Sequence, residues 1–480
     1  MTAHFKLDIP GVSAPTGTVE VFSPYDRSVI ATVETGDSAV VEQALATAHA
    51  AFRNKAGWLK VYQRVEILEK AAAIMEARAG DLATEAAREG GKPLIDSQVE
   101  VARAIDGVKL CAEAIRTTHG TEIPMNLNPA SAGRAAFTQF EPIGVVAAVS
   151  AFNHPLNLIV HQVGPAVAAG CPFVVKPATS TPTSCFRFVE ILHEAGLPPE
   201  WGQVVVTSDR EAATNLVCDE RVAFFSFIGS PGVGWSLRSK LAPGTRCALE
   251  HGGAAPVIVA GDADLDDMLP LLAKGGFYHA GQVCVSVQRV FADRAIADDL
   301  AAGIADLAGK MTVGDPVSAQ TEVGPLIELA ENERVAEWVA EAVGQHGAEV
   351  RTGGDKLSDT CYQPTVLFDP GAEARVSKQE IFGPVVCVYP YDDMDEAIAR
   401  ANSIPYKFQA AVATRSLDTA LRCYKQLDAS AVMVNDHTAF RVDWMPFAGL
   451  NQSGHGVGGI HHTLHDMQIE KMMVIRSPQL

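Results

Sequence analysis

Cys284, in the stretch Gly281-Gln-Val-Cys-Val285, is one of nine cysteines, and nothing in its own window separates it from the other eight. What separates it is the set of residues upstream. Asn153 stands in Ser150-Ala-Phe-Asn-His-Pro155, just past an apolar run. Its side-chain N–H₂ could donate to an oxyanion developing on a carbonyl under attack; read locally, it could equally cap the helix that follows. Glu250 lies in Leu249-Glu-His-Gly-Gly253, where a carboxylate at a strand end beside glycines suits a general base acting on water. A thiolate, an oxyanion donor and a base together point to covalent chemistry at a carbonyl.

A second group of windows suits a phosphate-bearing ligand. Lys176 ends the apolar run Phe173-Val-Val-Lys176 and is followed by Pro177-Ala-Thr179. The carboxyl ends of parallel strands face a ligand crevice, where a lysine can hold hydroxyls or phosphate. Gly229, Ser230 and Gly234 belong to a glycine-rich turn between a strand and a helix, and the free N–H groups of such a helix start favour an anion. His461, His462 and His465 read as a solvated face, so no metal site is expected.

These side chains need a framework. The run Gly144–Ser150 is apolar throughout, as in a parallel strand buried on both faces. From there strands at Phe173–Lys176, Val204–Val206 and Phe224–Ile228 alternate with helices at Leu156–Ala169, Thr183–Ala195, Arg210–Val217 and Val233–Leu241. That alternation predicts a doubly wound parallel sheet. Ahead of it lie strands at Val19–Phe22 and Val29–Val33, then helices from Ser38, expected to be an N-cap, to Thr117. A second α/β unit follows Gly253, with strands at Pro256–Ala260, Val287–Ala292, Val385–Val388, Ala410–Ala413 and Ala431–Val434. Helices are expected at Leu265–Tyr278, Ala295–Met311 and Ala330–Gln345. Residues 121–140 have too few apolar positions for a core of their own and read as strands that pack on a partner chain. Met467–Ile475 reads as an extended tail.

The chain of 480 residues carries a formal charge of −19, which argues against nucleic acid and anionic membrane surfaces as partners. No run of about 18 apolar residues is present. The N-terminal Met-Thr-Ala-His-Phe-Lys-Leu-Asp lacks the pattern of a secretion signal. Scattered cysteines without a Cys-x-x-Cys pair suit a reducing compartment, and a cytoplasmic enzyme is expected.

Taken in order, the windows around Asn153, Lys176, Gly229–Gly234, Glu250, Cys284, Glu380-Ile-Phe382-Gly-Pro384 and Pro446-Phe-Ala-Gly449-Leu-Asn-Gln-Ser453-Gly454 resemble the NAD(P)-dependent aldehyde dehydrogenase superfamily. The resemblance runs from about residue 20 to the end. It implies an α/β fold with a Rossmann-type cofactor domain (1–120 and 141–252), an α/β catalytic domain (253–445), and a β oligomerisation arm with the C-terminal tail (121–140 and 446–480). A homodimer or homotetramer is implied. Cys284 would attack a small aldehyde, Asn153 and the Cys284 N–H would hold the oxyanion, and Glu250 would activate the water that releases the acid. Lys176 and Glu380 would bind the riboses of NAD or NADP, Phe382 would pack near the nicotinamide, and Gly229 and Ser230 would lie at the pyrophosphate. Thr179 stands where NAD-selective members often carry Glu, so NADP is admitted. Gln162 replaces a common lysine, leaving thiol activation to local backbone and cofactor charge. His251 and Ala254 depart from the usual Glu-Leu-Gly-Gly-Lys, and Gly458 stands where a Glu is common.

The substrate end is read from Phe-Asn-His-Pro-Leu-Asn and Phe-Arg-Val-Asp, which look like a branch acting on lactaldehyde, succinic semialdehyde or phosphonoacetaldehyde. Arg103, His154, His437 and Arg441 would then meet an anionic or hydroxylated tail; alternatively the arginines are paired structurally with acids such as Asp443. Two other readings compete with hydrolytic oxidation. A CoA-acylating relative typically lacks the base, and an inactive homologue would not need Cys284, Glu250 and Asn153 together.

Overall fold

A computed structural model describes residues 3–7, 9–12 and 14–480. Two sheets carry the architecture. The first has six strands in the order Gly454–His455, Arg246–Glu250, Val222–Ile228, Val145–Val149, Phe173–Lys176, Gly202–Val204. All neighbours are parallel except the first pair, where Glu250 faces Gly454. The chain starts in the interior, at Val145–Val149, and winds outward in both directions. The reversal falls between Val145–Val149 and Val222–Ile228, and a doubly wound sheet opens its crevice at such a switch point. Asn153 and Gly229 follow these two strands directly.

The second sheet has seven strands in the order Glu349–Thr352, Thr365–Phe368, Val385–Tyr391, Arg289–Asp293, Pro256–Val259, Gln409–Ala413, Ala431–Val434. Only the Glu349–Thr352 edge is antiparallel. The two sheets contribute to the site from different strand ends. Residues of the site in the first sheet follow strand ends, whereas Gly252, Cys284 and Glu380 precede the strands Pro256–Val259, Arg289–Asp293 and Val385–Tyr391.

Each sheet has its own apolar core. The central strands are buried on both faces, as Val145–Ala148 and Val385–Val388 show with 0–1% exposure. Apolar side chains on both faces remove the alternation of a half-exposed strand, which is why these segments read as continuous hydrophobic runs. The helices Val61–Ala77, Leu94–Thr117 and Asn157–Ala169 pack on the first sheet and build the larger core with it.

The structure amends several expectations. Asp37, rather than Ser38, caps the helix Ser38–Arg53: its carboxylate accepts from Ala39 N at 2.9 Å and Val40 N at 3.2 Å, so the helix begins at Ser38 itself. The helix predicted from Leu156 starts at Asn157. The expected extended tail is a full strand, Gln468–Arg476, which pairs antiparallel with Arg134–Pro142 over nine residues. Glu122–Ile123 adds a third, short strand. The region 446–480 also supplies Gly454–His455 to the six-stranded sheet and the helix Ile460–Asp466, whose Ile460 and Leu464 enter the larger core.

Candidate active site

The helix Leu265–Phe277 ends in a turn of unusual handedness. His279, Ala280 and Gly281 all take the left-handed conformation, with φ of 52°, 53° and 69°. Two of the three carry side chains, which resist this region, so the surrounding packing must hold them there. The turn throws the chain back toward the first sheet. Gln282 then locks it: its amide nitrogen donates to His279 O and Pro325 O, and its oxygen accepts from Ile327 N at 2.9 Å. Val283 and Val285 pack with Phe408 and Phe447, while Cys284 between them faces a cavity of about 730 Å³.

Asn153 reaches this loop from the other sheet. Its side-chain amide donates to Gln282 O at 2.9 Å. An amide nitrogen carries two hydrogens, so one remains for a group beside Cys284. Asn153 does not cap the following helix. That task falls to Glu100 on the helix Leu94–Thr117, whose Oε1 accepts from Leu156 N and Asn157 N at 3.0 Å each. Glu100 is paired with Lys92, both wholly buried, and the Lys92 ammonium also donates to Asn153 O at 3.2 Å. A buried ion pair therefore clamps the turn that presents Asn153.

Glu250, the last residue of its strand, lines the same cavity. Burial raises its pKa, and the nearby Arg441 guanidinium pulls it partly back. Gly458 leaves room for it: a Cβ there would overlap the Glu250 carboxylate. The Cys284 thiol is pushed up to about 12, first by burial and then by the Glu380 and Glu250 carboxylates; Arg441 and the thiol's own backbone N–H act the other way. Arg441 thus favours the ionised form of both groups.

Arg441 is distinctive in having no hydrogen-bond partner among the described residues, and its Nε and Nη2 are fully buried. Its guanidinium lies 3.5 Å from the centre of the Phe447 ring, a cation–π stack that holds the plane flat. Arg103 differs. It is tied to Asp443 by a fork of two bonds, Nε to Oδ2 at 3.0 Å and Nη2 to Oδ1 at 2.8 Å. His154 lines the cavity, and burial holds it well below its ordinary pKa, hence neutral. His437 is not brought in. Its ring packs against Gly275, its Nδ1 accepts from Ala439 N at 3.1 Å, and it is absent from the cavity wall.

The cavity continues past Cys284 toward the first sheet. Gly229, Ser230 and Val233 line it at the start of the helix Pro231–Arg238, whose Ser230 cap makes no side-chain hydrogen bond and leaves the first N–H groups available. Gly234 lies behind this wall, where a Cβ would strike the His251 ring. The half-buried Lys176 ammonium has only Pro177 O, at 3.4 Å, and burial lowers its pKa, so it lacks a good acceptor. Thr179 is exposed at the rim between Ala178 and Ser180, which line the cavity. On the opposite wall the Glu380 carboxylate accepts from Gly253 N at 3.1 Å, and burial raises it to about 8. A Cβ at Gly252 would occupy its place. Phe382, itself left-handed at φ 50°, meets Phe152 edge to face at 5.8 Å. An anion-binding helix start and a buried carboxylate along one slot suit a dinucleotide, with the unsatisfied Lys176 just behind the wall that Ala178 and Ser180 form. Gln162 donates to Val149 O, Ser226 O and Ser226 Oγ, bridging the two strands at the switch point rather than facing the thiol.

Lys92, Glu100 and Gln282 carry much of this geometry and have no part in the sequence reading; Asp443 takes the structural pairing with an arginine that the sequence reading gives as its alternative. Gln282 was in the Cys284 window, and Lys92 in Gly90-Gly-Lys-Pro93 read only as a helix break. Glu100 lies among Asp96, Ser97, Gln98 and Arg103, so no local pattern sets it apart.

A family model described as the aldehyde dehydrogenase family matches residues 12–473. A 3-sulfolactaldehyde dehydrogenase from Priestia megaterium is 37% identical over 457 residues, 95% of this chain and 94% of that one. Aldehyde dehydrogenase 21 from Physcomitrella patens, solved in complex with the reaction product succinate, superposes with a TM-score of 0.94 at 34% identity, covering 99% of both chains. A glyceraldehyde-3-phosphate dehydrogenase from Methanocaldococcus jannaschii, complexed with NADP, gives 0.91 at 31% identity, covering 97% of this chain and 100% of that one.

Proposed function

Because this chain belongs to the aldehyde dehydrogenase family, oxidoreductases that act on aldehydes, we propose that it oxidises a small anionic aldehyde to its acid through a thioester on Cys284. The observation that carries this reading is the convergence of Cys284, Asn153, Glu250 and the unpartnered Arg441 on one cavity. NAD or NADP, when bound, supplies the hydride acceptor. Lys176, Thr179, Gly229, Ser230, Glu380 and Phe382 would hold it, and Gly234 gives the helix start its close packing.

The Cys284 thiolate adds to the aldehyde carbon. The oxyanion so formed takes the second hydrogen of the Asn153 amide and the Cys284 N–H, donors already fixed before the reaction begins. Collapse with loss of hydride leaves Cys284 as a thioester. Glu250 then takes a proton from water, the hydroxide adds to the thioester carbon, and the tetrahedral species expels the thiolate and frees the acid. Burial raises the basicity of Glu250, and the Arg441 charge favours its ionised form.

Arg441 gives the tail its sign. A buried guanidinium with free donors favours a carboxylate, sulfonate or similar acceptor that can meet two N–H groups at once. The 3-sulfolactaldehyde named for the Priestia relative and the succinate of the Physcomitrella structure both carry such a group. His154 would add a neutral hydrogen-bonding edge. The sheet of Arg134–Pro142 and Gln468–Arg476 fits an oligomerisation arm, since Met472, Met473 and Val474 are about half exposed on it.

An aldehyde panel of neutral and anionic members with each cofactor, read by NAD(P)H absorbance, tests the reading. Anionic aldehydes of about four carbons should lead, and Cys284→Ala should abolish turnover. No reduction of either cofactor across the panel, or full activity in Cys284→Ala, overturns it.

A further inference from the structure

We propose that Asp443 sets how much negative charge the substrate tail carries, by cancelling Arg103 from beneath the cavity so that Arg441 meets the tail alone. This rests on the reading of an anionic substrate given above.

Arg103 and Arg441 both line the substrate end of the cavity, yet only one is uncancelled. Asp443 is 1% exposed and does not reach the cavity surface. It collects three donors. Arg103 binds it through two nitrogens, the His161 Nε2–H donates to Oδ1 at 2.7 Å, and Asn157 Nδ2 donates to Oδ1 at 3.2 Å. His161 carries no compensating charge, because burial brings its pKa down to about 4. The carboxylate is therefore matched to one cation, Arg103, and the pair sums to zero.

Four charged or titratable groups bear on Arg441. Glu250 and Cys284 favour its cation, Arg103 opposes it, and Asp443, bonded to Arg103 and not to Arg441, favours it more distantly. Glu250 forms no ion pair with it, so the guanidinium is left for a ligand. His154 is neutral. Glu331 and Arg334, further along the cavity wall, are paired with each other at 2.7 Å. Among the described residues the substrate end thus offers a single free fork, matched to a singly charged tail. A doubly charged tail would bring a second charge with no cation to receive it. Since Asp443 is two residues from Arg441, the same carboxylate also ties the segment carrying Arg441 to the helices Leu94–Thr117 and Asn157–Ala169.

The test compares kcat/KM for a neutral aldehyde (butanal), a monoanion (succinic semialdehyde) and an aldehyde carrying a phosphate dianion (glyceraldehyde 3-phosphate). In Asp443→Asn, which keeps shape but frees the Arg103 charge, the dianion-to-monoanion ratio should rise about tenfold or more, chiefly through KM. Arg103→Met combined with Asp443→Asn should return the ratio toward wild type. An unchanged ratio in a folded Asp443→Asn protein, or a rise that persists in the double variant, overturns the proposal. Should Asp443→Asn not fold, Arg103→Met alone decides. It leaves the Asp443 charge uncancelled, so monoanion kcat/KM should fall about tenfold relative to butanal; no fall overturns the proposal. The underlying reading fails separately, in the wild-type enzyme, if the monoanion is not preferred to butanal.

Discussion

The Asn153 side-chain amide and the Gln282 carbonyl are joined at 2.9 Å across the boundary between the two sheets. The proposed oxyanion donor and the loop of the proposed nucleophile are thus positioned against each other. Asn153→Ala should lower kcat by about 10²–10³-fold with little change in KM, the usual cost of one oxyanion donor. Asn153→Asp should be worse, since its carboxylate would face both the Gln282 carbonyl and the oxyanion. Steady-state kinetics decide, and a kcat within about threefold of wild type for Asn153→Ala would remove Asn153 from the mechanism.

Glu250→Gln should retain a burst of NAD(P)H but slow later turnover by about 10²-fold or more, as expected when a general base is lost. Acid quench followed by mass measurement should then find the acyl group on Cys284. The substitution also removes one of the carboxylates that raise the thiol pKa. Alkylation of Cys284 by iodoacetamide should therefore reach its half-maximal rate at a lower pH than in wild type.

Arg441→Met separates binding from protonation. The guanidinium lowers the pKa of both Glu250 and Cys284, so its loss should raise both. On the proposed mechanism deacylation needs the Glu250 carboxylate, and a higher pKa means the base is protonated over more of the acid range. The acid limb of the turnover profile should move to higher pH, and the pH for thiol alkylation should rise in parallel. Either one moving downward contradicts the placement of Arg441.

Lys92→Met would strand the Glu100 carboxylate in the core. Breaking a buried pair from one side costs about 3–5 kcal/mol, so Tm should drop by several degrees. Lys92→Met with Glu100→Gln should recover part of that loss, because neither charge is then left alone. A single variant as stable as wild type would mean the pair contributes nothing.

Thr179→Glu places a carboxylate at the rim where a 2′-phosphate would sit. The kcat/KM ratio for NAD over NADP should rise by about tenfold or more, from repulsion of the phosphate and a bond to the free 2′-hydroxyl. Unchanged values for both cofactors would take Thr179 out of the cofactor site.

What the sequence disclosed follows from distance along the chain. Phe173–Lys176 is a strand over the residues expected, because a strand buried on both faces writes itself as an uninterrupted apolar run; Ala431–Val434, a partly exposed edge strand, also falls on the residues expected. Asn153, Lys176, Gly229 and Glu250 were visible because each follows such a run, and strand ends are where a doubly wound sheet opens. Glu349–Thr352 and Thr365–Phe368 are not announced by the sequence: the first is an edge strand with Glu349, Arg351 and Thr352 among its residues, and the second lies between Pro364 and Asp369-Pro370, which read as turn punctuation. The clamp beneath the site is legible only in part. Pairing of the arginines with acids such as Asp443 stands as one alternative in the sequence, but Arg103 and Asp443 are 340 positions apart, and no local spacing decides for that pair over a ligand. His437 shows the converse error: it was drawn toward the site by its nearness in sequence to Arg441, while its ring packs on the helix Leu265–Phe277.

The left-handed turn at His279, Ala280 and Gly281 bears on how this site can be re-engineered. The address of residue 284 is fixed by backbone torsions and by Gln282, not by the sulfur it carries. Exchanging the nucleophile for serine or selenocysteine should leave its location intact, so reactivity can be altered there without relocating the reaction. Transplanting Gly-Gln-Val-Cys-Val alone into another loop would carry the reagent without its coordinates.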